Sequence, residues 1–142
     1  MNLSPHFADY ELRCKCNRHK DAPLCNVSPQ LLALAEKVRE ILKTPIVVRS
    51  CCRCPEHNAD PDVKGSPTSK HITTDKLPAR AMDYKPRNMS PITAYNAIVK
   101  AWRDGRLPDL GGIGLYDSFV HIDTAKAYDG HLRTWDKRSQ KE

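Results

Sequence analysis

The sequence predicts a single α+β domain, a small and mostly antiparallel sheet with helices packed on it. Three observations predict it. Two stretches carry apolar residues at helical spacing behind the same start signal, Ser28-Pro29 and Ser90-Pro91. Short β-branched or alternating runs around Ile46, Ala81 and Val120 read as strands. The 142 residues contain no internal repeat and no linker, which suits one core. One domain is expected over residues 1–142, with 137–142 a frayed tail.

In chain order, Ser4 and Pro5 offer a cap and a first helical residue, so residues 4–12 read as a short helix with Phe7, Tyr10 and Leu12 inward. Residues 13–27 read as a polar loop. Ser28-Pro29 then opens a long helix whose stripe is Leu31, Leu34, Ala35, Val38, Ile41 and Leu42, and Pro45 marks its end. Ile46-Val47-Val48 reads as a central strand that delivers Arg49, Ser50 and Arg53 to its C-terminal end. Residues 59–77 have no periodicity and are broken by Pro61, Gly65 and Pro67, and a loop that long in a compact domain points to function.

Ala79 to Tyr84 reads as a strand with Ala81 and Asp83 on one face. Ser90-Pro91 opens a third helix with Ile92, Tyr95, Ile98, Val99 and Trp102 inward, closed by Gly105. Gly112–Tyr116 and Phe119–Asp123 flank Asp117-Ser118 as a hairpin. Phe119, His121 and Asp123 share one face of its second strand, and Val120 and Ile122 the other. The tail from Ala125 carries Tyr128, Leu132 and Trp135, enough to dock on the body.

Composition excludes some classes. No apolar run approaches the ~18–20 residues that span a bilayer, so membrane insertion is not expected. The first residues carry neither a basic nor an apolar signal region, so no secretory signal is read there. The net charge of +6 suits either plain solubility or attraction to a polyanion, whether nucleic acid, an anionic membrane or a bacterial cell wall. The basic residues are scattered rather than striped with aromatics, which argues against dedicated nucleic-acid binding. A monomer is expected. Six cysteines fall as Cys14, Cys16 and Cys25, then Cys51, Cys52 and Cys54. Reduced thiols are the ordinary reading, and a second, structural ion near Cys14, Cys16 and Cys25, with His19 between them, is the rarer one.

The chemistry-bearing residues are His71 in a polar loop, Asp83 in a strand and His121 in another. Two histidines and a carboxylate brought together would make a three-ligand zinc site with a place for water. Asp75 is a rival ligand.

The residue strings around these positions carry a resemblance. Val47-Val48-Arg49-Ser50-Cys51-Cys52-Arg53-Cys54-Pro55-Glu56-His57-Asn58 is similar to a strand and turn written S-G-Y-R-C-P-x-H-N. Ser69-x-His71 and Arg80-Ala81-Met82-Asp83 look like two halves of S-x-H-x-x-G-x-A-x-D. Gly112-Ile113-Gly114-x-Tyr116, Phe119-Val120-His121-Ile122-Asp123-Thr124 and Arg133-x-Trp135 resemble a C-terminal hairpin. Together they resemble the M15 family of zinc D-Ala-D-Ala peptidases, in its branch of phage and bacterial peptidoglycan hydrolases, which shares a fold with the Hedgehog signalling domain. The resemblance implies a Hedgehog/DD-peptidase-like fold and a catalytic Zn2+ on His71, Asp83 and His121. It implies Arg53 as the partner of a substrate carboxylate, and Ser69 as support for the first ligand's loop or a substrate contact. The implied reaction is hydrolysis of amide bonds in peptidoglycan stem peptides or cross-links by zinc-activated water. With no secretory signal read at the N-terminus and no wall-binding module, the protein is expected to be made in the cytoplasm and to act on the wall after release, by phage lysis or from a virion.

Three departures from the family pattern stand out. About five residues around Thr73 to Leu77 are inserted between His71 and Asp83, expected at the rim of the cleft where they would set substrate choice. Cys51-Cys52 replace Gly-Tyr. Ser118 occupies the position of the general base in some relatives, which leaves Asp117 as candidate base and Asp123 as the group that orients His121. Two other readings stay open: a zinc-binding module of the same fold without catalysis, and a cysteine-ligated structural zinc domain.

Overall fold

The computed structural model describes residues 1–16, 25–63 and 65–139. Its elements are β1 (Asn2–Ser4), β2 (Phe7–Ala8), α1 (Asp9–Leu12), α2 (Pro29–Leu42), β3 (Ile46–Ser50), α3 (Pro55–Ala59), β4 (Ala81–Pro86), α4 (Pro91–Arg103), β5 (Gly112–Leu115), β6 (Val120–Asp123) and β7 (Arg133–Asp136). The α+β expectation holds. The main sheet has the order β3-β4-β6-β5-β7, antiparallel throughout except for the parallel pair β5–β7.

The helices start where the capping chemistry places them. Ser28 Oγ accepts from the Leu31 amide and Ser90 Oγ from the Thr93 amide, each with proline at the first helical position. The α2 stripe is buried at Leu31, Leu34, Ala35, Val38 and Leu42, and Ile41 packs at its margin. In α4 the buried face is Ala94, Ile98 and Ala101, rotated from the expected one, with Ile92 exposed. Small residues face inward there because α4 lies against both α2 and the sheet. Among the described residues no helix is long and apolar enough to cross a membrane.

Three local expectations are corrected. Ser4-Pro5 does not open a helix: Ser4 ends β1, its hydroxyl donates to Glu36 at 2.7 Å, and only Asp9–Leu12 is helical. The strand after Pro45 lies at the sheet edge rather than its centre, with Val47 exposed. The tail contributes a strand, β7, beside β5, while Tyr128 stays outside on the surface. After β7, Lys137 donates its amide to the Leu115 carbonyl at 2.8 Å, and Ser139 bonds to Asp117.

Strand alternation then sorts the sheet into two faces. Met82 and Tyr84 of β4, Ile113 and Leu115 of β5, and Val120 and Ile122 of β6 join α2 and α4 in the core. Asp83, His121 and Asp123 lie on the other face, where Asp83 and His121 line a cleft and Asp123 is fully buried.

Candidate metal centre

Register places the polar residues in two rows across the sheet. Asp83 pairs with His121, His121 with Gly114, and Gly114 with Trp135. One step along, Ala81 pairs with Asp123, Asp123 with Gly112, and Gly112 with Arg133. A Cβ at Gly114 would collide with the Trp135 indole, and one at Gly112 with the Arg133 guanidinium and the Asp123 carboxylate. The two glycines thus let β7 side chains lean over β5 onto the site.

His71 comes from the loop before β4. Arg53 and Ile72 form a bridge in which the Arg53 amide donates to the His71 carbonyl at 2.9 Å. Ser69 Oγ accepts from the His71 amide at 3.2 Å. His71 Nδ1 donates to the Cys51 carbonyl at 2.8 Å, which leaves Nε2 as a lone pair in the neutral ring. That Nε2 is buried, has no hydrogen-bond partner and lies 3.2 Å from Asp83 Oδ1. His121 Nδ1 lies 2.8 Å from the same Oδ1, and its Nε2 2.8 Å from Asp123 Oδ2. His71, Asp83 and His121 are all buried, and their ligand atoms lie within 4.8 Å of one another.

The electrostatics of this trio call for a cation. Burial pushes the His71 imidazole down, so it stays neutral. Burial works against charge on Asp83 as well, yet His71 and His121 hold its carboxyl well below the usual carboxylate range. Burial also opposes a proton on His121, but the hydrogen bonds to Asp123 and Asp83 raise its pKa above the ordinary value. A lone pair on His71 Nε2 therefore faces an anionic oxygen, and His121 is held between two carboxylates. Two neutral imidazoles and one carboxylate around a shared point form a donor set suited to zinc, with a position left for water. The residues fit the ion.

Asp123 is fully buried and fixes His121. It also takes a forked pair from Arg133, Nη1 to Oδ1 at 2.8 Å and Nη2 to Oδ2 at 3.1 Å, and the Ala125 amide at 3.0 Å. Arg133 is a site residue that motif reading quoted without a role. Trp135 is another: its ring lies 5.0 Å from that of His121, and its indole N–H donates to the Tyr116 hydroxyl at 2.9 Å.

The cleft over the trio has a volume of about 840 Å³. Arg53 lines it, partly buried, with Nη1 donating to Asn58 at 3.1 Å and Nη2 3.8 Å from Asp83 Oδ2. Arg53 Nε is buried without a partner. Ser69 lines the cleft as well.

Other expected residues lie elsewhere. Asp117 sits exposed in the β5–β6 turn, outside the cleft lining, where its carboxylate accepts from the amide and hydroxyl of Ser139. Asp75 is exposed and outside the trio. The Thr73–Leu77 insertion does not line the cleft. It closes on itself through Thr74, whose amide donates to the Leu77 carbonyl, and is stitched to Asn26 by the buried Thr73 hydroxyl at 2.9 Å. The rim is built instead by residues of the loop before it, Asp62, Val63, Gly65, Ser66, Thr68, Ser69 and Lys70. Cys25 does not join Cys14 and Cys16; its thiol donates to the Asp9 carbonyl and neighbours Cys52, while Cys54 takes the third place. His19 lies outside the described residues.

The model of the family described as Peptidase M15 matches residues 5–123. No curated protein and no solved structure matches the chain.

Proposed function

The chain belongs to the M15 peptidase family, and on that premise we propose that it hydrolyses amide bonds in the stem peptides or cross-links of bacterial peptidoglycan. The family makes it a metallopeptidase, and the trio His71, Asp83 and His121 is where its zinc belongs. Zinc bound there would polarise the scissile carbonyl and activate a water.

The observation that carries the substrate reading is the charge of the cleft. Five of its lining residues are cationic, Lys15, Arg49, Arg53, Lys70 and Lys137, against the carboxylates Asp62 and Asp83. Wall peptides carry free carboxylates, and such a cleft draws them in. Arg53 is placed to bind one: its guanidinium is partly desolvated, braced by Asn58, and keeps an unpartnered N–H. A planar fork suits a carboxylate in two-point contact. Arg49 lies over the Phe119 ring at 4.6 Å and donates to Ser118, which sets a second cation at the rim. Asp123 and Arg133 hold His121 in the ring orientation that turns Nδ1 towards the trio. The net charge of +6 would keep the enzyme on an anionic wall after release by lysis or from a virion.

The test uses purified sacculi of several wall chemistries, with wild type and His121→Ala, and mass spectrometry of released fragments. The reading expects new peptide termini from wild type alone. A zinc-loaded wild type that cuts no wall would overturn it.

A further inference from the structure

Outside the cleft, one cluster of reactive side chains has no part in the peptidase site. Cys14 and Cys16 come from the segment after α1, and Cys54 from the turn between β3 and α3. Cys14 Sγ lies 3.4 Å from Cys16 Sγ, and Cys16 Sγ 3.6 Å from Cys54 Sγ. These separations exceed a disulfide bond. All three sulfurs fall within 4.8 Å of one another, close enough to share one ion.

We propose that Cys14, Cys16 and Cys54 hold a second, structural zinc ion that ties the N-terminal segment to the turn bearing Arg53. Soft thiolates select zinc over the hard cations magnesium and calcium. The backbone is already turned to support charge on sulfur. The Cys54 amide donates to Cys14 Sγ at 3.4 Å, and the His57 amide donates to Cys54 Sγ at 3.4 Å. Thiols ionise as they bind an ion, so binding would release protons.

The position of the cluster says what the ion does. Cys51 to Cys54 form the stretch that serves the catalytic trio from behind. The Cys51 carbonyl fixes the His71 ring, the Arg53 amide and carbonyl bracket the His71 loop, and the Arg53 side chain enters the cleft. The Cys52 amide donates to the Leu12 carbonyl at 3.0 Å, and three thiolates on one ion would lock that junction at a second point. The site is therefore structural, and its chemistry does not depend on the substrate.

Cobalt titration of the reduced, metal-stripped protein tests this. Wild type should bind two equivalents, one with the charge-transfer absorption of cobalt–thiolate bonds. His71→Ala, which damages the other site, should keep that absorption and bind one equivalent. Cys16→Ser, the least buried of the three positions, should lose the absorption. If Cys16→Ser does not fold, alkylation of wild type followed by peptide mass mapping decides: zinc should protect Cys14, Cys16 and Cys54 together. Any one of three results overturns the proposal: a single equivalent without thiolate absorption, equal alkylation with and without zinc, or a disulfide among these cysteines in freshly isolated protein.

Discussion

Asp123→Asn separates the charge of this carboxylate from its shape. Asp123 accepts four hydrogen bonds in a fully buried position: one from His121, two from Arg133 and one from the Ala125 amide. Asparagine has the same outline but a single oxygen. Arg133 Nη1 and the Ala125 amide both converge on Oδ1, so the amide oxygen must lie there. The NH2 group then takes the place of Oδ2, against His121 Nε2 and Arg133 Nη2. His121 can meet it only as an acceptor at Nε2, which moves its proton to Nδ1, the atom that faces Asp83 and His71. A metal ligand needs a lone pair at Nδ1. Zinc affinity at the trio should fall roughly 10- to 100-fold, the usual effect of losing a partner that orients a ligand. That is roughly 1.4–2.8 kcal/mol at 25 °C. Stability of the metal-free protein should fall by about 1.5–3 kcal/mol, because the bonds from His121 and Arg133 lose their charged acceptor. Domains of this size commonly have about 5–15 kcal/mol, so the variant still folds. Competition against a chromophoric chelator gives the affinity, and urea denaturation gives the stability. Wild-type zinc affinity in a folded Asp123→Asn protein would refute the assigned tautomer.

Three further outcomes follow from the same geometry. Arg53→Lys should lower kcat/KM on peptides with a free carboxylate about tenfold or more, because an ammonium cannot make the forked contact, while metal content stays that of wild type; an unchanged kcat/KM would remove Arg53 from substrate binding. Asp117→Ala should keep wild-type kcat, since the structure occupies this carboxylate with Ser139 outside the cleft; a loss as deep as that of His121→Ala would return Asp117 to the role of base. Glu36 lies partly buried, which opposes its charge, but bonds from the Ser4 hydroxyl and the His6 amide and ring outweigh this and depress its carboxyl. A carboxyl depressed on folding adds stability above its unfolded pKa and loses it as pH falls through the folded value. Glu36→Gln should therefore be less stable than wild type at pH 7 and lose less on acidification; parallel acid limbs in urea melts at stepped pH would contradict this.

How much of this was legible in the sequence depended on how local the cause was. Helix starts are local: Ser28-Pro29 and Ser90-Pro91 cap α2 and α4 as read. The site face of β6 followed from period-two alternation at Val120 and Ile122. Other features depend on partners far along the chain. Ser4 before Pro5 has the local pattern of a cap, but its hydroxyl bonds Glu36, which lies in reach only once α2 packs on the N-terminal hairpin. The α4 stripe was read from its large residues, yet the helix packs so closely that Ala94 and Ala101 face inward. The strand β7 has no apolar alternation of its own and exists because β5 offers a free edge. Cys54 lies 38 residues from Cys16, beyond any spacing rule, so Cys25 was the reasonable third thiol and the fold chose another.

The two cross-strand rows show why core and site are not separable in this fold. Asp83, His121, Gly114 and Trp135 form one row, and Ala81, Asp123, Gly112 and Arg133 the next, with Met82, Ile122 and Ile113 between them on the opposite face. A slip of one residue between β4 and β6 would bury Asp83 in the core and turn Met82 and Tyr84 into the cleft. The apolar face therefore enforces the register that aligns the ligands, and no loop has to be precise for Asp83 to meet His121. His71 is the exception. It reaches the trio from a loop, and its ring is held by the Cys51 carbonyl and its backbone by Arg53, so its placement depends on the stretch that Cys54 ends. That dependence is the physical reason for a second metal there: the ligand that the sheet does not position is the one whose support the three thiols can lock.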